Sequence, residues 1–214
     1  MGKKVAIVDY GLGNLFSISQ ACEHVGLNAV ITSDKKIISE SDALILPGVG
    51  AFGYAMNSLQ SDGLVDSLLD FVKTGKQFLG ICLGMQLLFS ESEEFVVNKG
   101  LGLVDGRIVR FPSNDNQGRL LRVPQIQWNQ IYKGYSGNWE KSLFKNTNIG
   151  EYMYFLHSYY SMPANEKEIL TYSEYGGVKY ASAVTKDNIT GIQFHPEKSA
   201  APGLKVYETW AGLI

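Results

Sequence analysis

Gln77-Phe78-Leu79-Gly80-Ile81-Cys82-Leu83-Gly84-Met85-Gln86 is the stretch that decides the fold. Its first five residues form a short apolar run, the signature of a buried strand. From Leu83 to about Phe89 the spacing is that of a helix start. Between the two lies Gly80-Ile81-Cys82-Leu83-Gly84, a G-x-nucleophile-x-G elbow with cysteine in the nucleophile's place. A side chain presented at so sharp a strand-to-helix turn forces its own backbone into an unusual conformation, and its neighbours must lack Cβ to avoid clashing. The start of the helix then aims free N–H groups and partial positive charge at the sulfur.

Working towards the N-terminus, the same alternation repeats. Val5-Ala6-Ile7-Val8 reads as a strand, followed by a turn at Gly11 and Gly13 and a helix over about 14–25. Ala29-Val30-Ile31 and Ala43-Leu44-Ile45-Leu46 are two more strands, and a helical region over about 52–74 is broken near Gly63. Short apolar strands between helices predict a parallel sheet covered on both faces. Beyond Gly102 the pattern changes to short β runs at about 107–111, 153–156, 169–175, 181–184 and 189–194, with hairpins and mixed pairing. A last helix fits 203–213, with Leu204, Val206, Tyr207, Trp210 and Leu213 on its apolar side. No repeat or linker separates the halves. The expectation is one domain over 1–214, an α/β fold of three layers with a mostly parallel, mixed central sheet.

Composition excludes several functions. A chain of 214 residues with 45% hydrophobic residues can bury a core without disulfide or metal staples. Nineteen Lys+Arg against 21 Asp+Glu leave a net charge of −2, with no electrostatic footprint for nucleic acid or an anionic membrane. Cys22 and Cys82, the two cysteines, form no CxxC or Cys/His cluster, so no metal site is expected. No run approaches the roughly 18 apolar residues of a membrane span, and the first residues lack a signal peptide's apolar stretch. A cytoplasmic protein with free thiols is expected, Cys22 packing on its helix and the 113–118 loop exposed.

Chemistry needs more than the elbow. An ordinary thiol titrates near 8.5, so half-ionisation at pH 7 requires about 2 kcal/mol, whereas a helix terminus supplies ~0.3–1 kcal/mol. An imidazolium partner is the usual remainder. Of three histidines, His24 fits a surface helix end, and His157 either packs in the core or lines a pocket. His195, in Gly191-Ile192-Gln193-Phe194-His195-Pro196-Glu197, stands at the end of an apolar strand that Pro196 terminates. Glu197 is spaced to turn back on the ring. A strand-end histidine beside a solvated glutamate is the plainer reading; with the elbow present, a Cys82–His195–Glu197 triad is favoured. The loop Pro47-Gly48-Val49-Gly50 is most simply a turn, yet its backbone N–H groups, beside Leu83 N–H, could face a developing oxyanion. Gly11-Leu12-Gly13 lacks the third glycine of a dinucleotide fingerprint, and Trp128 and Trp139 are ambiguous, an aromatic being more often core than contact.

The elbow with its following Met85-Gln86, together with His195-Pro196-Glu197-Lys198-Ser199, resembles the class I (triad) glutamine amidotransferases. Within them, 9–15, Pro47-Gly48-Val49-Gly50-Ala51-Phe52 and Leu156-His157-Ser158-Tyr159-Tyr160 are similar to the glutaminase subunits of imidazole glycerol phosphate synthases. The resemblance spans about 5–210 and implies a flavodoxin-like fold without a cofactor. It implies that Cys82 attacks glutamine, with the oxyanion held by backbone N–H groups near Val49 and Leu83, while Gly50, Gln86, His157, Ser158 and Tyr159 hold the substrate. It also implies release of ammonia to a (β/α)₈-barrel cyclase, with Asn14, Trp128, Tyr154 and Lys198 at the docking face. Where such subunits usually read His-Met-Gly-Trp-Asn, this chain has Gln125-Ile126-Gln127-Trp128-Asn129. Related subunits that supply ammonia for sugar amidation in surface-polysaccharide synthesis are the second reading. An elbow-cysteine peptidase or deglycase, or a silent binding subunit, is the third; Leu83 directly after the cysteine, where such peptidases commonly carry His, argues against the first of these.

Overall fold

Four fully or largely buried strands make the centre of the molecule. The computed structural model describes residues 2–214. Along the first half, β1 (Lys4–Val8), α1 (Leu15–His24), β2 (Asn28–Thr32), α2 (Lys35–Glu40) and β3 (Ala43–Leu46) are followed by α3 (Phe52–Ser61), α4 (Leu64–Lys73), β4 (Gln77–Ile81) and α5 (Leu83–Leu87). The second half contributes β5 (Phe89–Ser92), β6 (Asn98–Lys99), β7 (Val104–Arg110), β8 (Gln125–Lys133), β9 (Glu151–His157), β10 (Tyr159–Pro163), β11 (Ile169–Tyr175), β12 (Val178–Lys186), β13 (Ile189–Ile192) and α6 (Ala200–Ala211).

The described strands join in the order β2-β1-β3-β4-β13-β12-β10-β7-β5-β6, with β11 on β12 and β8, and β9 on β8. From β2 to β13 every pairing is parallel. From β13 through β12 and β10 to β7 it is antiparallel. The two halves therefore share one mixed sheet, as expected. One core cluster, built around Ile7, Ile45, Leu79, Phe155, Phe194 and Trp210, covers one face. A second, around Leu44, Leu46, Phe52, Leu68 and Phe78, covers the other. Both-face burial explains why β3 is apolar at every position. α4 packs Leu64, Leu68 and Phe71, a helical i, i+4, i+7 stripe.

Several elements depart from expectation. α2 is additional; the Asp34 side chain caps it, accepting from Lys36 N at 2.7 Å and Ile37 N at 3.2 Å. α5 ends at Leu87, not Phe89, and Phe89 already belongs to β5. Leu88 O accepts from both Leu103 N (2.9 Å) and Val104 N (3.0 Å), so the chain leaves the helix to pair with the entry to β7. β8 and β10 were not foreseen, and α6 begins at Ala200, three residues early.

Candidate active site

The register between β4 and β13 brings two distant parts of the chain together. Ile81 lies opposite Ile192, and Cys82 N donates to Ile192 O at 2.7 Å. Cys82 caps α5 with φ 55° and ψ −110°, the strained backbone the elbow requires. Gly84 has no room for a side chain, since a Cβ would overlap the Leu46 carbonyl. The elbow and the end of β3 are therefore in direct contact.

That contact places the second loop. A Cβ on Gly48 would stand 2.6 Å from Tyr10 Oη and 2.9 Å from Leu83 Cβ. Tyr10 donates its hydroxyl proton to Pro47 O at 2.7 Å, and burial holds the phenol well above its ordinary pKa, aided by the nearby Cys82. Val49 and Gly50, the latter at φ +103°, thus stand at the rim beside Leu83. Leu83 N–H, first in its helix, has no partner within it.

Three residues past β13 comes His195, 2% exposed. Its N–H donates to Tyr154 O at 2.9 Å, and its C=O accepts from Ser199 Oγ at 2.6 Å. Ser199 Oγ also accepts from Tyr154 N at 3.0 Å, so the histidine backbone is clamped to β9 on both sides. In the ring, Nδ1 lies 2.9 Å from Glu197 Oε1, an acceptor, which assigns the proton to Nδ1. Nε2 is buried and has no partner among the described residues. Burial opposes charge on this ring, but the adjacent Cys82 sulfur and then Glu197 outweigh it and raise its pKa.

A cavity of about 230 Å³ opens at the sulfur. Its walls hold Cys82, His195, Val49, Gly50, Leu83, Gln86, His157, Ser158 and Tyr159, every residue the sequence pointed to for nucleophile, base, oxyanion and substrate. Glu197 sits behind the histidine with its side chain fully buried. His157 donates from Nδ1 to Tyr159 O at 2.8 Å; burial, the main cause, lowers its pKa to about 4, leaving a neutral ring with a bare Nε2 acceptor.

Three wall residues, Glu94, Pro124 and Leu156, escaped the sequence reading. Glu94 follows Glu91, Ser92 and Glu93, a run that reads as a solvated turn, and no sequence signal marks it. It is the one carboxylate on the cavity wall among the described residues, and it also accepts from Phe52 N at the start of α3. Gln193 was passed over too, although it is wholly buried beside the sulfur.

Of the four residues expected at a docking face, Asn14, Tyr154 and Lys198 adjoin His195 or Glu197, and Trp128 adjoins Tyr154. Asn14 Nδ2 is 3.5 Å from Glu197 Oε1, and Lys198 is exposed beside it. Trp128 is 47% exposed and meets Tyr154 edge-on at 6.1 Å, its strand neighbour across β8 and β9. Trp139, by contrast, is core, and so is Cys22, whose thiol burial pushes up to about 12. His24 is exposed, as expected. No group of three metal-ligating side chains and no helix long and apolar enough to cross a membrane occurs among the described residues.

Comparison with known proteins agrees with this geometry. The family model "Glutamine amidotransferase class-I" matches residues 6–209. Over 210 residues the chain is 42% identical to imidazole glycerol phosphate synthase subunit HisH of Syntrophotalea carbinolica, covering 98% of this chain and 100% of that one. The HisH subunit of Geobacter sulfurreducens is 43% identical over 211 residues, covering 98% and 99%. Among solved structures, that of PurLQS from Thermotoga maritima superposes with a TM-score of 0.74 at 18% identity, covering 100% of this chain and 99% of that one. At such identity the superposition speaks for the fold alone. With an elbow cysteine, a carboxylate-held histidine and a family match over nearly its whole length, the chain belongs to the class I glutamine amidotransferases.

Proposed function

We propose that this chain is the glutaminase subunit of an imidazole glycerol phosphate synthase, with Cys82, His195 and Glu197 as its triad. The observation that carries the chemistry is the His195 ring, fixed through Nδ1 on Glu197 with Nε2 left free on the wall it shares with Cys82. Cys82 Sγ attacks the side-chain amide carbon of glutamine as its proton passes to His195 Nε2. The oxyanion forms towards the N–H groups of Val49 and Leu83, where one such donor is worth about 2.7–4 kcal/mol. Collapse breaks the C–N bond, and His195 returns its proton to the departing nitrogen, which leaves as ammonia. His195 then takes a proton from water, which hydrolyses the thioester to glutamate and frees the cysteine.

The remaining wall groups suit the substrate's other end. Glu94 supplies the negative charge that complements an α-ammonium group. Gly50, Gln86, His157, Ser158 and Tyr159 hold the rest, and the neutral His157 offers an acceptor. Ammonia released to neutral water is protonated and lost as a nucleophile. It passes instead to a (β/α)₈-barrel cyclase that docks over Asn14, Trp128, Tyr154 and Lys198, in keeping with a cytoplasmic biosynthetic enzyme. The names of the relatives support this partner.

Residues 125–127 favour a second reading of the acceptor. Gln125 is buried and accepts from Tyr180 Oη at 3.0 Å, so its identity is an internal matter. Ile126 is 57% exposed and Gln127 is exposed, next to Trp128. Those two could be read by a sugar-modifying partner in surface-polysaccharide synthesis. One assay tests both readings: glutamate release by the chain mixed with the barrel cyclase and its ribonucleotide substrate. Stimulation supports the first reading, and stimulation only by a sugar-modifying partner selects the second. Within the active complex, Cys82→Ala abolishes glutamine-dependent turnover and leaves ammonium-dependent turnover; loss of both would make Cys82 a structural residue.

A further inference from the structure

The nucleophile has a neighbour that the triad does not account for. Gln193 is completely buried, two residues before His195, and its Nε2 stands 3.7 Å from Cys82 Sγ. An amide can be turned either way, so the identity of the atom facing sulfur must be argued. Gln86 Nε2 is 3.0 Å from Tyr159 O and 2.9 Å from Gln193 Oε1. Tyr159 O is a backbone carbonyl and can only accept, so Gln86 must present its NH₂ group there. One N–H goes to Tyr159 O and the other to Gln193 Oε1. With its oxygen occupied by a donor, Gln193 must turn its own NH₂ group to the sulfur. A chain of two amides, anchored on a main-chain carbonyl, thus ends on the nucleophile.

The sulfur has a second contact of opposite character, Leu156 O at 3.8 Å, which can only receive a proton from a thiol. Ionisation removes that bond and turns the Gln193 contact into a charge-assisted one, which is the stronger kind. We infer that Gln193 selectively stabilises the ionised form of Cys82 and that Gln86 acts as the positioning residue that keeps the Gln193 amide turned the right way. The inference rests on Cys82 being the nucleophile. It assigns to Gln86 a role beyond holding substrate. The charged and titratable groups around the cavity at the sulfur are His195 after β13, Tyr10 after β1, His157 at the end of β9, Tyr159 at the start of β10 and Glu94 after β5. Gln193→Met substitutes none of these groups, whereas Gln86→Met also removes one of the two donors on Tyr159 O, the carbonyl His157 shares.

Iodoacetamide alkylation of the isolated full chain between pH 5 and 10 reads the thiolate directly, with mass spectrometry separating Cys82 from the buried Cys22. Gln193→Met keeps the length of the side chain and removes its donor. The Cys82 alkylation rate at pH 7 is expected to fall about tenfold, the whole rate–pH curve moving upward while its alkaline plateau is kept. Gln86→Met leaves the Gln193 amide free to turn and moves the curve the same way by less. Folded variants whose curves coincide with the parent's overturn the proposal. If Gln193→Met does not fold, the Gln86→Met curve alone decides. A merely structural role would change the plateau or the melting temperature without moving the curve. Failure of the underlying reading looks different: the parent's own Cys82 would then react no faster than Cys22.

Discussion

His157 links the cavity wall to the pH range in which the fold is secure. Its Nδ1–H is committed to Tyr159 O, and burial lowers its pKa to about 4, against an ordinary value near 6.5. The unfolded chain therefore takes up this proton first as pH falls. Stability from the neutral ring is intact above about pH 6.5 and is lost progressively as pH falls towards 4. Between pH 7 and pH 5 the loss from this one residue is about 2 kcal/mol. Urea denaturation at those two pH values should show the parent losing about that much more than His157→Phe, in which nothing titrates. Equal losses would mean that the folded ring ionises as freely as the unfolded one. The same neutrality keeps Nε2 an unprotonated acceptor at neutral pH.

The strand–elbow–helix unit was legible because its requirements are local: an apolar strand, a strained nucleophile and two glycines flanking it. The contact between His195 and Glu197 was legible for a similar reason, since Pro196 ends a strand and Glu197 follows two residues after His195. What sequence could not supply are relations set by register. Gln193 reaches Cys82 because β13 lies parallel to β4, and nothing in Gly191-Ile192-Gln193 announces that. β8 was missed for another reason. Gln125, Gln127, Asn129 and Gln130 interrupt its apolar residues, and burial at Gln125 and Ile131 alone does not make a pattern. One elbow glycine, Gly84, and one glycine of the loop after β3, Gly50, make a paired prediction. Gly84→Ala drives a methyl group into the backbone of Leu46, which cannot yield, and should cost at least about 3 kcal/mol. In a chain of this size that lowers the melting temperature by roughly 6 °C or more. Gly50→Ala meets nothing within 4 Å, and only its positive φ is strained, so a loss of about 1–3 kcal/mol is expected. Calorimetric melting of both variants checks the order; a milder effect at Gly84 would remove the tight contact between elbow and β3.

At the scale of the whole molecule, two exposed apolar patches are candidates to seat the proposed cyclase partner. One is the outer face of β8 and β9, with Ile126, Trp128 and Tyr152. The other is the tip between β5 and β6, where Phe95, Val96 and Val97 are 86%, 67% and 71% exposed. Exposure alone favours the tip, but position favours the strands. Tyr154, which Trp128 touches, holds the His195 N–H through its carbonyl, and its own N–H is tied by Ser199 to the His195 carbonyl. A partner seated on that face presses on the main chain that carries His195, whereas the tip reaches the cavity through Glu94, the start of α3 and the Phe95 main chain beside Tyr159. A fully covered tryptophan at the centre of an interface typically costs 2 kcal/mol or more when truncated. Trp128→Ala should therefore weaken binding of the barrel cyclase by about 30-fold. Val97→Ser, on the other patch, should leave the Kd within about threefold, as rim contacts do. Titration calorimetry with the purified cyclase distinguishes them. If Val97→Ser is the damaging change, the partner sits over the β5–β6 tip, and coupling to the cavity must then run through Glu94, the loop before α3 and the Phe95–Tyr159 contact rather than through the histidine strand.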